Sequence, residues 1–542
     1  MTLLIVSIIL FLAIFAIKFS NRSGIPALLL FIVLGILFNR LGFGINNFVF
    51  ADKFATFSLM IIMFQGGFST NWNMSKPVAA PAIVLSSLGV VVTAILTGFF
   101  CHYVLGWNLL TGMLIGSIVG STDYASVSNI LRSKNLNLKY HTASLLELES
   151  GSNDPFAYTM TMIFLSVMLG KSTNILLMIF LQVFIGTVMG FALAFLFYWF
   201  IVKFNLVSDG LLVLYIVATS TLVYSLTSLL QGNGFLAVYI YGIYLGNQSF
   251  KGKKEAVFFY NGFGELIQIG LFFMLGLLSD WKLFIDFLPA AAAIMFFMFI
   301  IARPLAVYLL TIPFNLKNNQ KIIISVAGLR GAAAIAFAIL ATNSGVKVGG
   351  DIYNTVFGIC VLSSAIQGFL MPPASRKFKM LDPSDTVLRT FNDYQDKSDL
   401  GFLKIQIEDD SKWINHKVKD LDLTFNIIIA KIMRDGKAIV PRGDTVIHSG
   451  DIIVLGGEEY FDPTGHDLVE YTIPNGHSFA GKLLKDLSIP NDHLVVMIQR
   501  QNGEIVVPRG NTEIMVGDTL VSMLRDGRPD RAIKEGCKEK CN

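Results

Sequence analysis

The chain has 542 residues, 54% of them hydrophobic and only 15% charged, with a formal net charge of +4. A soluble globular chain carries about a quarter charged residues, so the composition argues against a protein surrounded by water and points to lipid. Up to about Pro373 the sequence is a series of apolar runs close to 20 residues long, the length that crosses the hydrocarbon core as a helix; after Ser375 it turns charged, with short alternating segments.

The first run, Leu3 to Ile17, lacks a basic leader and a small-residue cleavage site, so it reads as a retained span. Further runs follow near 25–39, 54–69, 78–104, 108–131, 142–169, 174–202, 209–230, 233–248, 256–278, 282–312, 320–342 and 352–373, giving thirteen expected spans. One alternating set of loops carries Lys18, Arg22, Lys76, Arg132, Lys134, Lys139, Lys203, Lys251, Lys253, Lys254, Lys317, Lys321, Arg376, Lys377 and Lys379; the other carries Arg40, Lys53, Lys171, Lys282 and Lys347. Basic loops stay on the cytosolic side, which predicts an outer N-terminus and a cytosolic tail.

An ionisable group at mid-membrane costs at least about 2.5–3.5 kcal/mol and asks for a function. The fifth span holds Asp123 beside Gly120, Ser121 and Thr122, all poor helix formers. The sixth holds Glu147-Leu-Glu-Ser-Gly-Ser-Asn-Asp-Pro155, in which Glu149 and Asn153 share one helical face and Ser150 and Asp154 the next. The twelfth holds Gly328-Leu-Arg-Gly331, and the eleventh Arg303-Pro304, which reads as a kink with a packing partner. For Glu147 a solvated helix end serves as well as a role inside the membrane. Asp123 and Asp154 outnumber the cations available to them and lie where backbone can open, the setting in which transporters expose carbonyl oxygens to a small ion. Carboxylate, hydroxyl and carbonyl oxygens suit an alkali cation, and burial of a carboxylate favours its protonated form. A group that holds either a cation or a proton, but not both, suffices for exchange. Glu149 and Arg330 are expected to form a buried, charge-compensated pair outside the titration.

Thr122-Asp123, then Glu149-Ser150-x-x-Asn153-Asp154-Pro155, then Gly328-Leu-Arg-Gly331, with Asn233 to Asn247, resemble the monovalent cation:proton antiporters of the NhaP type. The resemblance implies a polytopic α-helical membrane fold with inverted repeats, in which the fifth and twelfth spans are interrupted and cross. It also implies a homodimer with a dimerisation domain and a six-helix core. By position it makes Asp154 the ion- and proton-binding carboxylate and Asn153 its partner, gives Thr122, Ser150 and Asp123 as oxygen ligands, and makes Glu149 and Arg330 the structural pair. Asn153 beside Asp154, in place of a second acid, implies electroneutral exchange. Gln65 stands where relatives often have Asp, which leaves a role for an acid there in doubt.

The charged part divides into a linker (376–400), two similar units (401–465 and 466–530) and a polar tail (531–542). Lys419-Asp-Leu-Asp-Leu423 matches Lys485-Asp-Leu-Ser-Ile489, Val440-Pro-Arg-Gly-Asp-Thr445 matches Val507-Pro-Arg-Gly-Asn-Thr512, and Gly450-Asp451 matches Gly517-Asp518. Alternating stretches flank the turns Arg434-Asp-Gly-Lys437 and Arg500-Gln-Asn-Gly-Glu504 and predict hairpins in a duplicated small α+β unit. The pattern resembles the TrkA-C domain of potassium-conductance regulators, which implies paired units and a small ligand between them, cyclic di-AMP being one such ligand. Residues 380–542 contain no Gly-x-Gly-x-x-Gly, so an NAD role is not expected.

The resulting expectation is an electroneutral K⁺/H⁺ antiporter of the bacterial inner membrane, multi-pass, regulated by a small cytosolic ligand and without enzymatic activity, cofactor or nucleic-acid partner. A Na⁺/H⁺ antiporter and a ligand-gated potassium channel are the competing readings; no Thr-Val-Gly-Tyr-Gly-like filter is present for the second. No HExxH or GxSxG motif supports an enzyme, and His102 and His141 lie near span ends. Cys537 and Cys541 read as a free, reduced pair.

Overall fold

In the computed structural model the described residues are 2–23, 27–44, 47–123, 126–127, 138–170, 174–204, 211–346, 351–381, 400–407, 409, 411, 413–421, 427–434, 437–458, 468–487, 493–501 and 505–524. The chain divides into two units, Met1–Arg389 and Thr390–Asn542. Cys537, Cys541 and the polar tail lie outside the described residues, as does most of the second half of the fifth span.

The first unit is helical throughout. Seven of its described helices are long and apolar enough to cross a membrane, among them Phe48–Ser69, Ile175–Phe204, Lys253–Leu278 and Ile352–Lys377; shorter apolar helices include Leu109–Ile118, Gly234–Gly246 and Ala332–Asn343. Thr142–Met168 is equally long but carries the acidic residues of the sixth run.

Lipid tails are as apolar as leucine side chains, so helices in a membrane gain most where small residues let backbones approach. Gly67 of Phe48–Ser69 meets Gly234–Gly246 in this way: a Cβ on it would stand 2.3 Å from the carbonyl oxygen of Tyr239.

Two elements break at mid-length. Leu109–Ile118 stops at Val119, and after a turn at Gly120 residues Ser121 to Asp123 lie outside any helix. Asn318–Val326 stops at Ala327, and helix resumes at Ala332–Asn343. The breaks touch: the Asp123 amide donates to the Leu329 carbonyl at 2.8 Å. A further distortion, a π turn over Met298–Ala302, precedes Arg303, where Pro304 offers no amide to the helix.

The second unit contains two four-stranded antiparallel sheets. The first, with order β1-β4-β2-β3, is built from β1 (Leu400–Gln406), β2 (Ile428–Arg434), β3 (Lys437–Ile439) and β4 (Ile452–Glu458). The second, with order β5-β8-β6-β7, is built from β5 (Leu468–Thr472), β6 (His493–Gln499), β7 (Ile505–Val506) and β8 (Thr519–Leu524). The duplication reaches the packing: Ile407, Ile432 and Ile453 of the first core correspond to Ile473, Ile498 and Leu520 of the second. The strand irregularity repeats too, between Ile429 and Lys431 and between Val495 and Met497. Both expected hairpins form, across β2 and β3 and across β6 and β7. Among the described residues of this unit the helical content is one 3₁₀ turn per repeat, Val418–Asp420 and Leu484–Asp486.

Candidate ion-exchange site

Where a helix stops inside lipid it leaves carbonyls without partners and a concentration of negative dipole. Leu109–Ile118 stops this way, and Arg330 from the second break answers it, donating from Nη1 to the Gly120 carbonyl at 2.8 Å and the Ser121 carbonyl at 2.9 Å. Ser363 accepts from the Arg330 amide at 3.1 Å, and Ser364 donates to its carbonyl at 3.2 Å.

Helix N-termini carry the opposite dipole, and Asp123 lies against them. Its carboxylate accepts from the Ser126 amide at 3.2 Å and the Ser126 hydroxyl at 2.6 Å. It also packs on Gly331, which precedes Ala332–Asn343: a Cβ at Gly331 would stand 2.2 Å from Asp123 Oδ2. Only glycine leaves room for that carboxylate.

Asp154 faces the same breaks from the Thr142–Met168 helix. It is 6% exposed, accepts from the Ser121 hydroxyl at Oδ1 and lies within electrostatic reach of Asp123. The Asn153 amide donates to Thr122 Oγ1 at 2.5 Å, and the Ser150 hydroxyl donates to the Thr122 carbonyl at 2.5 Å. Asn153 Oδ1 is buried and accepts no hydrogen bond from the described residues, an oxygen free to face a cation. Pro155, with no amide of its own, is held by its carbonyl to Asn233, whose side-chain amide donates to it at 2.7 Å and to Thr159 Oγ1 at 3.0 Å. Thr122, Ser150, Asn153 and Asp154 are therefore brought together, with Asp123 turned toward the helix ends beside them.

Glu149 does not pair with Arg330, contrary to the expectation from sequence. Its Oε1 lies 2.6 Å from Nη2 of Arg303, both side chains at 5% exposure or less. Arg330 is taken up by the carbonyls of the broken helix, whereas Arg303 approaches Glu149 past Gly328, against which its Nε packs. Sequence reasoning also missed Ser121, the one described side chain hydrogen-bonded to Asp154; its place in the Gly120-Ser-Thr-Asp123 stretch was the available signal. Gln65 lies against Gly264 of the Lys253–Leu278 helix. No cluster of three or more His, Cys, Asp or Glu side chains that could hold a metal ion occurs among the described residues.

A family model for the sodium/hydrogen exchanger matches residues 7–377. The chain belongs to the sodium/hydrogen exchanger family. This exchanger also carries two matches to the TrkA-C domain, over residues 403–459 and 468–521. It is 32% identical to the K(+)/H(+) antiporter NhaP of Alkalimonas amylolytica, over 84% of this chain and 81% of that one. It is 31% identical to the K(+)/H(+) antiporter NhaP2 of Shewanella oneidensis, over 81% and 78%. In fold it is similar to the sodium proton antiporter MjNhaP1 of Methanocaldococcus jannaschii, with a TM-score of 0.59 at 21% identity, covering 67% of this chain and 97% of that one. The membrane unit is accordingly that of a multi-pass antiporter, with its two interrupted elements meeting at the expected place.

Proposed function

We propose that the protein exchanges K⁺ for H⁺ one for one, with Asp154 as the group for which both compete. The carrying observation is that Asp154 is buried where the two chain breaks meet, with the Ser121 hydroxyl as its one hydrogen-bond partner among the described residues and with the amide Asn153 rather than a second acid beside it. A cation there would find oxygens from Asp154, Asn153, Thr122, Ser121 and Ser150, and its arrival displaces the proton. Asp123 and Arg330 neutralise the broken helix ends, so the cavity keeps its shape in either state of Asp154. Potassium as the cation is supported by the relatives named K(+)/H(+) antiporter; the sodium proton antiporter of like fold supports sodium as the second reading.

The remaining expectations belong to the same proposal. They are thirteen crossings with an outer N-terminus, a homodimer in the bacterial inner membrane, transport without enzymatic activity, and TrkA-C units that regulate exchange through a small ligand such as cyclic di-AMP. Exchange is tested in proteoliposomes by dequenching of a pH-sensitive dye. K⁺ should drive proton movement at lower concentration than Na⁺, and a membrane potential imposed with an ionophore should leave the rate unchanged. Equal or better response to Na⁺ would favour the second reading, and a voltage-dependent rate would require another titrating group, Asp123 first.

A further inference from the structure

We propose that Asp52 is an outer docking carboxylate for the transported monovalent cation, set at the far end of the half-helix that begins at the exchange site; this rests on the proposed exchange at Asp154. Ala332–Asn343 starts beside Asp123 and ends at Asn343, twelve residues that span about 18 Å at the helical rise. At that end the Asn343 side-chain amide donates to Asp52 Oδ2 at 3.2 Å. Asp52 is half-buried in the second turn of Phe48–Ser69, which begins on the lysine-poor side of the membrane.

The charge has the wrong sign for a cap. Helix C-termini attract lysine and arginine and repel carboxylates, and among the described residues Asp52 forms no ion pair. A cation beside the Asp52 carboxylate, at the C-terminal end of Ala332–Asn343, has the right sign, and the carboxylate is a hard oxygen donor; the Leu340 and Ala341 carbonyls already accept from Ser344. Helix C-terminal ends supply alkali-cation ligands in transporters generally.

A layer of rings joins the Asp154 helix to Ala332–Asn343 through Phe337. Tyr158 lies one turn beyond Asp154 on the same helix, packing on Phe235 at 5.1 Å and Phe337 at 5.8 Å between ring centroids. Tyr224 packs on Phe235 at 4.9 Å. Phe235 and Phe337 are buried, so with Tyr158 they form a packed aromatic layer one turn beyond Asp154. A cation held at Asp52 waits outside the ring layer and raises the local concentration available when the layer opens.

The test is sided. Exchange is measured against K⁺ concentration in right-side-out and in everted membrane vesicles, for the wild type, Asp52→Asn and Asp52→Glu. Asp52→Asn should raise the apparent KM for K⁺ at the outer face about 10-fold, the low end of the local-concentration gain that a charge-lined entrance provides. The maximal rate and the KM at the cytosolic face should stay within about twofold on the same scale, and Asp52→Glu should behave as the wild type. The outer-face shift should shrink when choline chloride is raised from about 0.01 to 0.1 M, because the screening length falls from about 30 to 10 Å. An unchanged outer KM in Asp52→Asn overturns the proposal. So does an equal change at both faces shared by Asp52→Glu, which marks a structural role. A wild type without K⁺-driven exchange, or an active Asp154→Asn, instead defeats the underlying assignment.

Discussion

Both units of the molecule confine arginines, and they satisfy them differently. In the C-terminal unit Arg434 makes a two-pronged bond to Asp451, at 2.8 Å from Nε and 2.7 Å from Nη2, and Arg500 reaches Asp518 at 2.5 Å in the second repeat. Each pair closes one sheet onto its own Gly-Asp turn, seventeen or eighteen residues along the chain. In the membrane unit Arg303 meets Glu149 across 154 positions (303 against 149), and among the described residues Arg330 meets no carboxylate but two backbone carbonyls. The tail arginines stay partly exposed, at 28% and 16%, so water can reach them if a partner is lost, whereas both members of the Arg303–Glu149 pair are buried. Arginine in the tail staples a turn, and arginine in the membrane makes a broken helix tolerable.

That contrast predicts a ranking of mutational cost. The largest effect is expected for Arg303→Ala, which leaves Glu149 buried without its cation. Losing one partner of a buried pair costs about 3–5 kcal/mol, read as a fall in thermal stability of the detergent-purified protein. Arg303→Ala combined with Glu149→Ala should lose less than the sum of the single changes, whereas Arg330→Ala combined with Glu149→Ala should be closer to additive. Coupling between 149 and 330 stronger than between 149 and 303 would contradict the pairing.

Gly331→Ala should come next. The added methyl overlaps the Asp123 carboxylate, and overpacking of this kind costs about 1–3 kcal/mol. Because the displaced group is the one at the helix ends, exchange should fall further than thermal stability does. A variant with wild-type exchange would show that Asp123 has room to move without consequence.

The smallest effect is expected in the tail. The Arg434 guanidinium holds the Asp451 carboxyl below its ordinary range, and burial opposes it only in part. A carboxyl held low contributes stability above its unfolded range and loses it as pH falls through its folded range. Asp451→Asn should therefore destabilise the first repeat by about 2 kcal/mol near neutral pH, the scale of hydrogen bonds to a charged group. Limited proteolysis of the full chain should show faster cleavage there, with the wild type converging on the variant as the buffer is acidified. Equal cleavage at neutral pH would mean that the staple adds nothing.

Those same contacts show what the sequence could reveal. Asp123, Asn153, Asp154 and Arg330 stood out because a polar residue in an apolar run has few reasons to be there. The first chain break was legible because Gly120-Ser-Thr disfavours helix; the second, at Gly328-Leu-Arg-Gly331, followed only from the family resemblance. The tail repeat was legible down to its hairpins, since its matching segments recur at nearly constant spacing. The partner of Glu149 was not. Two arginines lay within reach of one carboxylate, and the choice depended on which of them the open carbonyls at Gly120 and Ser121 would claim. Backbone acceptors leave no mark in a sequence. Ser121 was missed for a related reason: three consecutive small or hydroxyl residues look alike until the chain's path turns one of them toward Asp154.

The most direct test of the account is Asp154→Asn in proteoliposomes, compared with the wild type for K⁺-driven proton movement and for elution and melting in detergent. The account predicts a protein that elutes and melts as the wild type does but moves no protons above the liposome background, because the one group open to both ions has lost its charge. Exchange near the wild-type rate would contradict it.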